Sequence, residues 1–247
     1  MGSTLYDITF SPFLIIQDTS PSMLRGDEET CPLRIAERIV PNLARIGREF
    51  PTVDQSTRVG LIEFNTDAHV LLPIGASGLL SQLEERDVKF TADGSTHYGA
   101  AFRAARTELE QLPGRLQRHE RLSGLKVGIH RPVVFFITDG NPNDDDEERD
   151  EQWRRLTDPA FRFAPHFITC GVGDVAPDKI AKYRNRRGSV LIARDPKDVA
   201  ASIVDLVELM NGTIIGLGTG MDDEQAPIID ESAIPESFDV LDYDVLS

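Results

Sequence analysis

Phe13-Leu14-Ile15-Ile16-Gln17-Asp18-Thr19-Ser20-Pro21-Ser22 is the stretch that decides the fold. Its first half is an apolar run bounded by Pro12 and a turn-like polar segment. An apolar run of strand length without polar alternation predicts a strand covered on both faces, the usual state of a central strand in a parallel sheet. Downstream, Leu33–Phe50 carries apolar residues at helical spacing, with Pro41 predicting a kink or two pieces. Arg58–Phe64 and Ala68–Pro73 flank a turn at Asn65-Thr66-Asp67 and predict a hairpin with an antiparallel edge strand. His97–Leu112 has an Ala-rich helical face, and Pro113-Gly114 is expected to end it. Gly114–His130 reads as a basic loop. Pro132–Thr138 is the strongest buried strand, and Asp144–Leu156 a helix with acids in its first turn, where the helix dipole favours them. Arg162–Cys170 and Ser189–Ala193 read as strands, Pro177–Tyr183 and Pro196–Met210 as helices. This alternation predicts an α/β fold: a doubly wound, mostly parallel sheet with helices on both faces.

The chain of 247 residues carries a formal net charge of −15. The acids are concentrated: from Met221 onward there are nine Asp or Glu and no Lys or Arg. A chain this acidic, without a basic stripe, is expected to bind neither nucleic acid nor an anionic membrane. Cys31 and Cys170 stand too far apart in sequence and too alone for a disulfide framework or a zinc site, and read as reduced thiols of a cytoplasmic protein. Met1–Phe13 lacks the pattern of a signal peptide, Tyr6 spoils a myristoylation match at Gly2, and no apolar run approaches a membrane span.

Three segments carry candidate chemistry. Asp18-Thr19-Ser20-Pro21-Ser22 follows the first buried strand, Gly94-Ser95-Thr96 precedes the Ala-rich helix, and Thr138-Asp139-Gly140 follows the strongest strand. In a doubly wound sheet, ligands gather outside the carboxyl ends of the strands, where the two halves diverge. Asp18, Ser20, Ser22, Thr96 and Asp139 are all oxygen donors, which suits a hard cation such as Mg²⁺ that leaves a coordination position for an outside ligand.

Asp18-x-Ser20-x-Ser22, with Thr96 and the Asp139 of Thr-Asp-Gly, resembles the metal-ion-dependent adhesion site of von Willebrand factor A domains. The resemblance runs from about residue 13 to residue 210, leaving 1–12 as a lead-in and 211–247 as a Gly/Thr linker and acidic tail. Within that family, Gly140-Asn-Pro-Asn-Asp144 and Cys170-Gly-Val-Gly173 are similar to the bacterial tellurium-resistance, TerY-type branch. The resemblance implies a six-stranded sheet with one antiparallel edge strand and a bound Mg²⁺ or Mn²⁺ held by Asp18, Ser20, Ser22, Thr96 and Asp139. It also implies a protein partner that offers an acidic side chain, without catalysis. TerY-type relatives imply kinase, phosphatase or stress-response companions. Pro21 and Ser95 stand where Gly is commoner in the family, and neither change removes a ligand.

Other readings stand beside this one. The Ser, Thr and Asp residues could serve only as turns and caps. A metal-dependent phosphatase or hydrolase is a rival, but the haloacid-dehalogenase pattern needs a second Asp where Ser20 stands, and no phosphate loop is present. A scaffold with a relict metal site, binding through its acidic tail, is another. His97 reads as a surface or packing residue, and Asp144–Glu148 either orients a ligand or starts a helix. The tail 221–247 could fold onto a partner, strap its own domain, or place a carboxylate in the metal site.

Overall fold

The structure, a computed structural model, describes residues 6–27, 29–75, 78–185, 187–219 and 228–241. Its centre is β1 (Ile8–Asp18), paired in parallel with β2 (Thr57–Phe64) on one side and β5 (Val133–Thr138) on the other. The alternation along β1 explains its apolar run. Phe13 and Ile15 enter the core on one face, while Phe10, Leu14 and Ile16 enter the core on the other. β5 repeats the division, with Phe135 and Ile137 on the first face and Val134 and Phe136 on the second.

The sheet runs β3-β2-β1-β5-β6-β7-β8, with β3 (Ala68–Leu72), β6 (His166–Gly171), β7 (Val190–Ala193) and β8 (Phe238–Val240); β4 (Val127–Ile129) adds to β1. The expected six strands and single antiparallel edge are corrected here: among the described residues the sheet has eight strands, and both β3 and β8 are antiparallel edges. The two extra strands are three residues each and carry no periodic signal of their own. β4 exists because β1 is long. It pairs with Ile8–Phe10, and β5 takes over from Phe13 after a break at Pro132, which has no N–H to offer a ladder. β8 exists because the C-terminal segment folds back. Phe238 and Ile229 enter the core, Arg194 ion-pairs with Asp239 at 2.8 Å, and the Leu241 amide donates to the Val190 carbonyl at 2.9 Å. Residues 228–241 thus strap their own domain; 221–227 and 242–247 of the tail lie outside the described residues.

One face of the sheet is covered by α1 (Pro32–Ala36), α2 (Ile39–Glu49), α3 (Pro51–Ser56) and α7 (Val199–Gly218). The two pieces predicted around Pro41 are α1 and α2, and Pro41 sits in the first turn of α2, where its missing N–H costs nothing. α7 continues eight residues past Met210, where the sequence pattern dissolves, because Ile214 and Gly218 still pack inward. By length and composition α7 could cross a membrane, but Ile203, Leu206, Met210 and Ile214 are core residues, so it serves as a packing helix of the sheet.

The other face is covered by α4 (Tyr98–Ser123), α5 (Asp146–Thr157) and the short α6 (Pro177–Ile180). An aromatic cluster of Phe64, Tyr98, Phe102, Phe136, Trp153, Phe167 and Tyr183 fills this side. The expected helix end at Pro113-Gly114, and the basic loop after it, are also corrected: α4 runs through Pro113 to Ser123. Two contacts hold the helix across the proline. Leu112 and Leu116 are buried on either side of it, and Arg115 forms an ion pair with the buried Glu108, whose carboxylate also accepts the Ile74 amide. The helix ends at Gly124, whose φ of 75° closes the last turn on the Glu120 carbonyl.

Candidate metal centre

β1 and β5 are neighbours, so Asp18 and Asp139 emerge side by side from their carboxyl ends. Asp18 is fully buried. Its Oδ1 accepts the Ser20 amide at 2.8 Å, and its Oδ2 accepts the Thr138 hydroxyl at 2.6 Å. The Asp139 Oδ1 accepts the Ser22 hydroxyl at 2.9 Å and the Ser20 hydroxyl at 3.2 Å, and the two serine hydroxyls lie 3.0 Å apart. The turn after Asp18 is a 3-10 turn over Pro21–Leu24 with Ser20 at its start, which brings both serines to one point.

Each surrounding loop is tied to the next. Thr19 donates its amide (2.8 Å) and hydroxyl (3.1 Å) to the Phe64 carbonyl at the end of β2, and its own carbonyl accepts the Asp93 amide at 3.2 Å. Gly94 has a φ of 65°, and a Cβ there would fall 2.4 Å from the Thr66 hydroxyl, so only glycine lets this loop seat on the β2–β3 turn. Thr96, next along, is buried. Its amide donates to Asn143 Oδ1 at 2.9 Å, and its carbonyl accepts the Asn143 amide at 3.0 Å. This reciprocal pair clamps Thr96 against the loop after β5. The Thr96 hydroxyl lies 3.1 Å from where a Cβ on Gly140 would sit, so it faces the Asp139-Gly140 turn. Ser20, Ser22 and Asp139 are therefore joined directly, Asp18 through Thr138 and the Ser20 backbone, and Thr96 by close approach.

Two carboxylates share this crevice. Burial, and then the charge of Asp139, push the Asp18 carboxyl up to about 7. Burial also raises Asp139, opposed by the Ser22 and Ser20 hydrogen bonds and by the positive charge of Arg25. Neither acid has an ion pair among the described residues. Buried negative charge without a bonded cation is the electrostatic condition for a divalent ion. No group of three or more His, Cys, Asp and Glu that could hold a metal occurs among the described residues. A cation here would thus rest on hydroxyls and water as much as on carboxylates, which fits the oxygen preference of Mg²⁺ and Mn²⁺.

Several supporting contacts join residues that no spacing in the sequence connects, although the helix start at Asp144–Glu148 is one of the two readings given for that run. Asn143 holds Thr96. Asp144 accepts the Gly99 amide at 2.6 Å, capping α4 from another element, since His97 at its N-cap supplies no side-chain bond. Asp144 also pairs with the buried Arg149 at 3.0 Å, and Asp145 caps α5 by accepting the Glu147 and Glu148 amides. Asp144 and Asp145 of the acidic run therefore act as helix starts and ion-pair partners. His97 is half-buried at the head of α4. Tyr98, fully buried, donates to the Gly140 carbonyl at 2.7 Å and anchors the turn from below. Both cysteines are free and buried.

The von Willebrand factor type A domain family matches residues 13–141, the span that holds all five candidate ligands. Among curated proteins none matches the chain. Among solved structures, a von Willebrand factor type A protein from Catenulispora acidiphila aligns at TM-score 0.55 and 15% identity, over 83% of this chain and 43% of that one. Proximal thread matrix protein 1 from the mussel byssus, in a form with a zinc-occupied MIDAS motif, aligns at TM-score 0.52 and 14% identity, over 83% and 48%. The TFIIH p34 N-terminal domain aligns at TM-score 0.56 and 16% identity, over 81% and 97%. At these identities the likeness is one of fold. The chain spans less than half the length of the first two of these structures.

Proposed function

The chain belongs to the von Willebrand factor type A domain family, and from that premise we propose that it is a metal-dependent protein-binding module that works without catalysis. The observation that carries this reading is the Ser20–Ser22–Asp139 cluster, with Asp18 buried behind it and no ion pair to either acid among the described residues. Asp18, Ser20, Ser22, Thr96 and Asp139 would hold Mg²⁺ or Mn²⁺, directly or through water. The ion supplies a Lewis-acidic position that a partner's acidic side chain can fill. The chain's own part is to orient the hydroxyls, neutralise the ion with two carboxylates, and keep one side open. The zinc-occupied motif of the mussel protein supports a divalent ion at such a site.

Ser20 and Ser22 donate to Asp139, and among the described residues neither is bonded to a histidine, so neither forms the hydroxyl–histidine pair of a serine nucleophile. That arrangement favours recognition over hydrolysis. The Gly140-Asn-Pro-Asn-Asp144 and Cys170-Gly-Val-Gly173 segments support placement in the bacterial TerY-type branch. The corresponding role is a cytoplasmic adaptor in a stress-response or signalling assembly, beside kinase or phosphatase partners.

The test is a thermal-shift titration with Mg²⁺ and Mn²⁺, joined to a pull-down in Mg²⁺ or EDTA, for wild type and Asp18→Ala. A partner held only with metal and an intact Asp18 supports the reading. A partner held in every lane overturns it in favour of a scaffold whose metal site is relict.

A further inference from the structure

A cleft of about 530 Å³ opens directly beside Ser22 and Asp139. Its lining includes Arg25, which follows the 3-10 turn of the metal loop, and Lys197, in the loop that leads from β7 into α7. The volume is in the range of roughly 300–1,000 Å³ that ligand sites occupy. The cleft therefore has room for more than the one carboxylate that would close a metal shell.

The charges in this cleft are unevenly committed. Asp198 is spent on capping α7, where it accepts the Ala201 amide at 3.0 Å. Asp139 is spent on the serine hydroxyls. Asp174 also lines the wall. Arg25 and Lys197 are exposed, and among the described residues neither makes an ion pair. Arg25 already lends its positive charge to Asp139 without an ion-pair contact, and among the described residues neither cation pairs with Asp174 or Asp198. On a chain of net charge −15, two exposed cations without an ion pair among the described residues line this one cleft. Without a metal, the three acids that line the cleft, Asp139, Asp174 and Asp198, outnumber the two cations and repel an anion. A divalent ion removes that excess and leaves the two cations free to act on what enters.

We propose that the partner presents an acidic loop with two carboxylates, one closing the metal shell beside Ser22 and Asp139 and the second seated between Arg25 and Lys197. This rests on the metal-dependent reading above. The first contact supplies metal dependence and the second supplies selectivity. Exposed charge pairs of this kind contribute more to discrimination and encounter rate than to raw affinity.

The experiment uses the full chain with Mg²⁺ and fluorescein-labelled peptides, read by anisotropy. One series carries an Asp and a Glu separated by increasing numbers of glycines; the counterpart series has Gln in place of Glu. The expected result is that the best two-acid peptide binds about three- to tenfold tighter than its one-acid counterpart. Arg25→Gln with Lys197→Gln should abolish that preference and keep the metal-dependent binding of the one-acid peptide. Equal binding of both series, or a preference that survives the double variant, overturns the second contact and leaves the metal-dependent reading standing. Binding of neither series in a Mg²⁺-dependent manner overturns the metal-dependent reading and this inference with it.

Discussion

The Ser22 hydroxyl donates to the Asp139 carboxylate at 2.9 Å across 117 residues of sequence, and Ser20 donates to the same oxygen at 3.2 Å. That one carboxylate oxygen gathers the metal loop and the end of β5 into a single unit. Substituting Asp139 therefore acts on two hydroxyls at once. Asp139→Ala removes a negative charge from a crowded site but strands both hydroxyls. We expect the metal-free protein to change by no more than about 1–2 kcal/mol, while stabilisation by Mg²⁺ disappears. Thermal melts with and without Mg²⁺ check both parts.

The pH dependence of the metal-free protein follows from Asp18. Its carboxyl rises from an ordinary value of 3.8 to about 7, through burial and then the charge of Asp139. Between those two values the folded chain holds a proton that the unfolded chain has lost. Stability from this group therefore falls as pH rises through that window and levels off above about 7. Bound Mg²⁺ competes with the proton, so its apparent affinity should rise with pH up to about 7 and then flatten. Calorimetric Mg²⁺ titrations at several pH values test this; an affinity that is flat from pH 5 to 8 would contradict it.

Asn143 is a positioning residue for Thr96, because its side chain supplies the acceptor for the Thr96 amide. Asn143→Ala should cost about 1 kcal/mol of metal-free stability and weaken Mg²⁺ binding by about tenfold, as loss of an outer support does at other metal sites. Asn143→Asp keeps an acceptor oxygen and should restore most of that binding. A variant pair that loses stability equally and binds Mg²⁺ equally would reduce Asn143 to a purely structural role.

The central strands and the site segments were legible in the sequence for one reason: both lie where local pattern and tertiary position agree. β1 and β5 are apolar because both of their faces are covered, and Asp18 and Asp139 directly follow them. What stayed hidden depends on distant partners. β4 and β8 are three-residue strands made by the length of β1 and the open edge of β7. The clamp between Asn143 and Thr96, and the capping of α4 by Asp144, join residues that no spacing rule connects. The Pro113-Gly114 pair is a sound local stop signal, and buried Leu112 and Leu116 with the Arg115–Glu108 pair override it.

The C-terminal strap is a stability element of the domain. Phe238 is 3% exposed in the core, and β8 covers an edge of β7 that would otherwise present unpaired backbone groups. Phe238→Ala should destabilise the protein by about 3 kcal/mol, and removal of residues 228–247 should lower the melting temperature and promote aggregation. Mg²⁺-induced stabilisation should persist in Phe238→Ala, because β8 lies three strands away from β5 in the sheet.

Pro113 offers a test of how a helix survives its own stop signal. A proline inside a helix removes one backbone hydrogen bond and crowds the carbonyl four residues back, here Leu109, a cost of about 3 kcal/mol in a regular helix. α4 tolerates it because Leu109, Leu112 and Leu116 are buried against the sheet and Arg115 spans to Glu108 and the Ile74 carbonyl. Pro113→Ala should therefore stabilise the protein by about 1–3 kcal/mol, with Mg²⁺ binding unchanged. Arg115→Ala should do the reverse, because it leaves the Glu108 carboxylate, 3% exposed, without its cation. If Pro113→Ala is neutral or destabilising, the chain at Pro113 is a fitted kink that the packing of α4 requires, and the continuous helix is held by shape more than by the loss it tolerates.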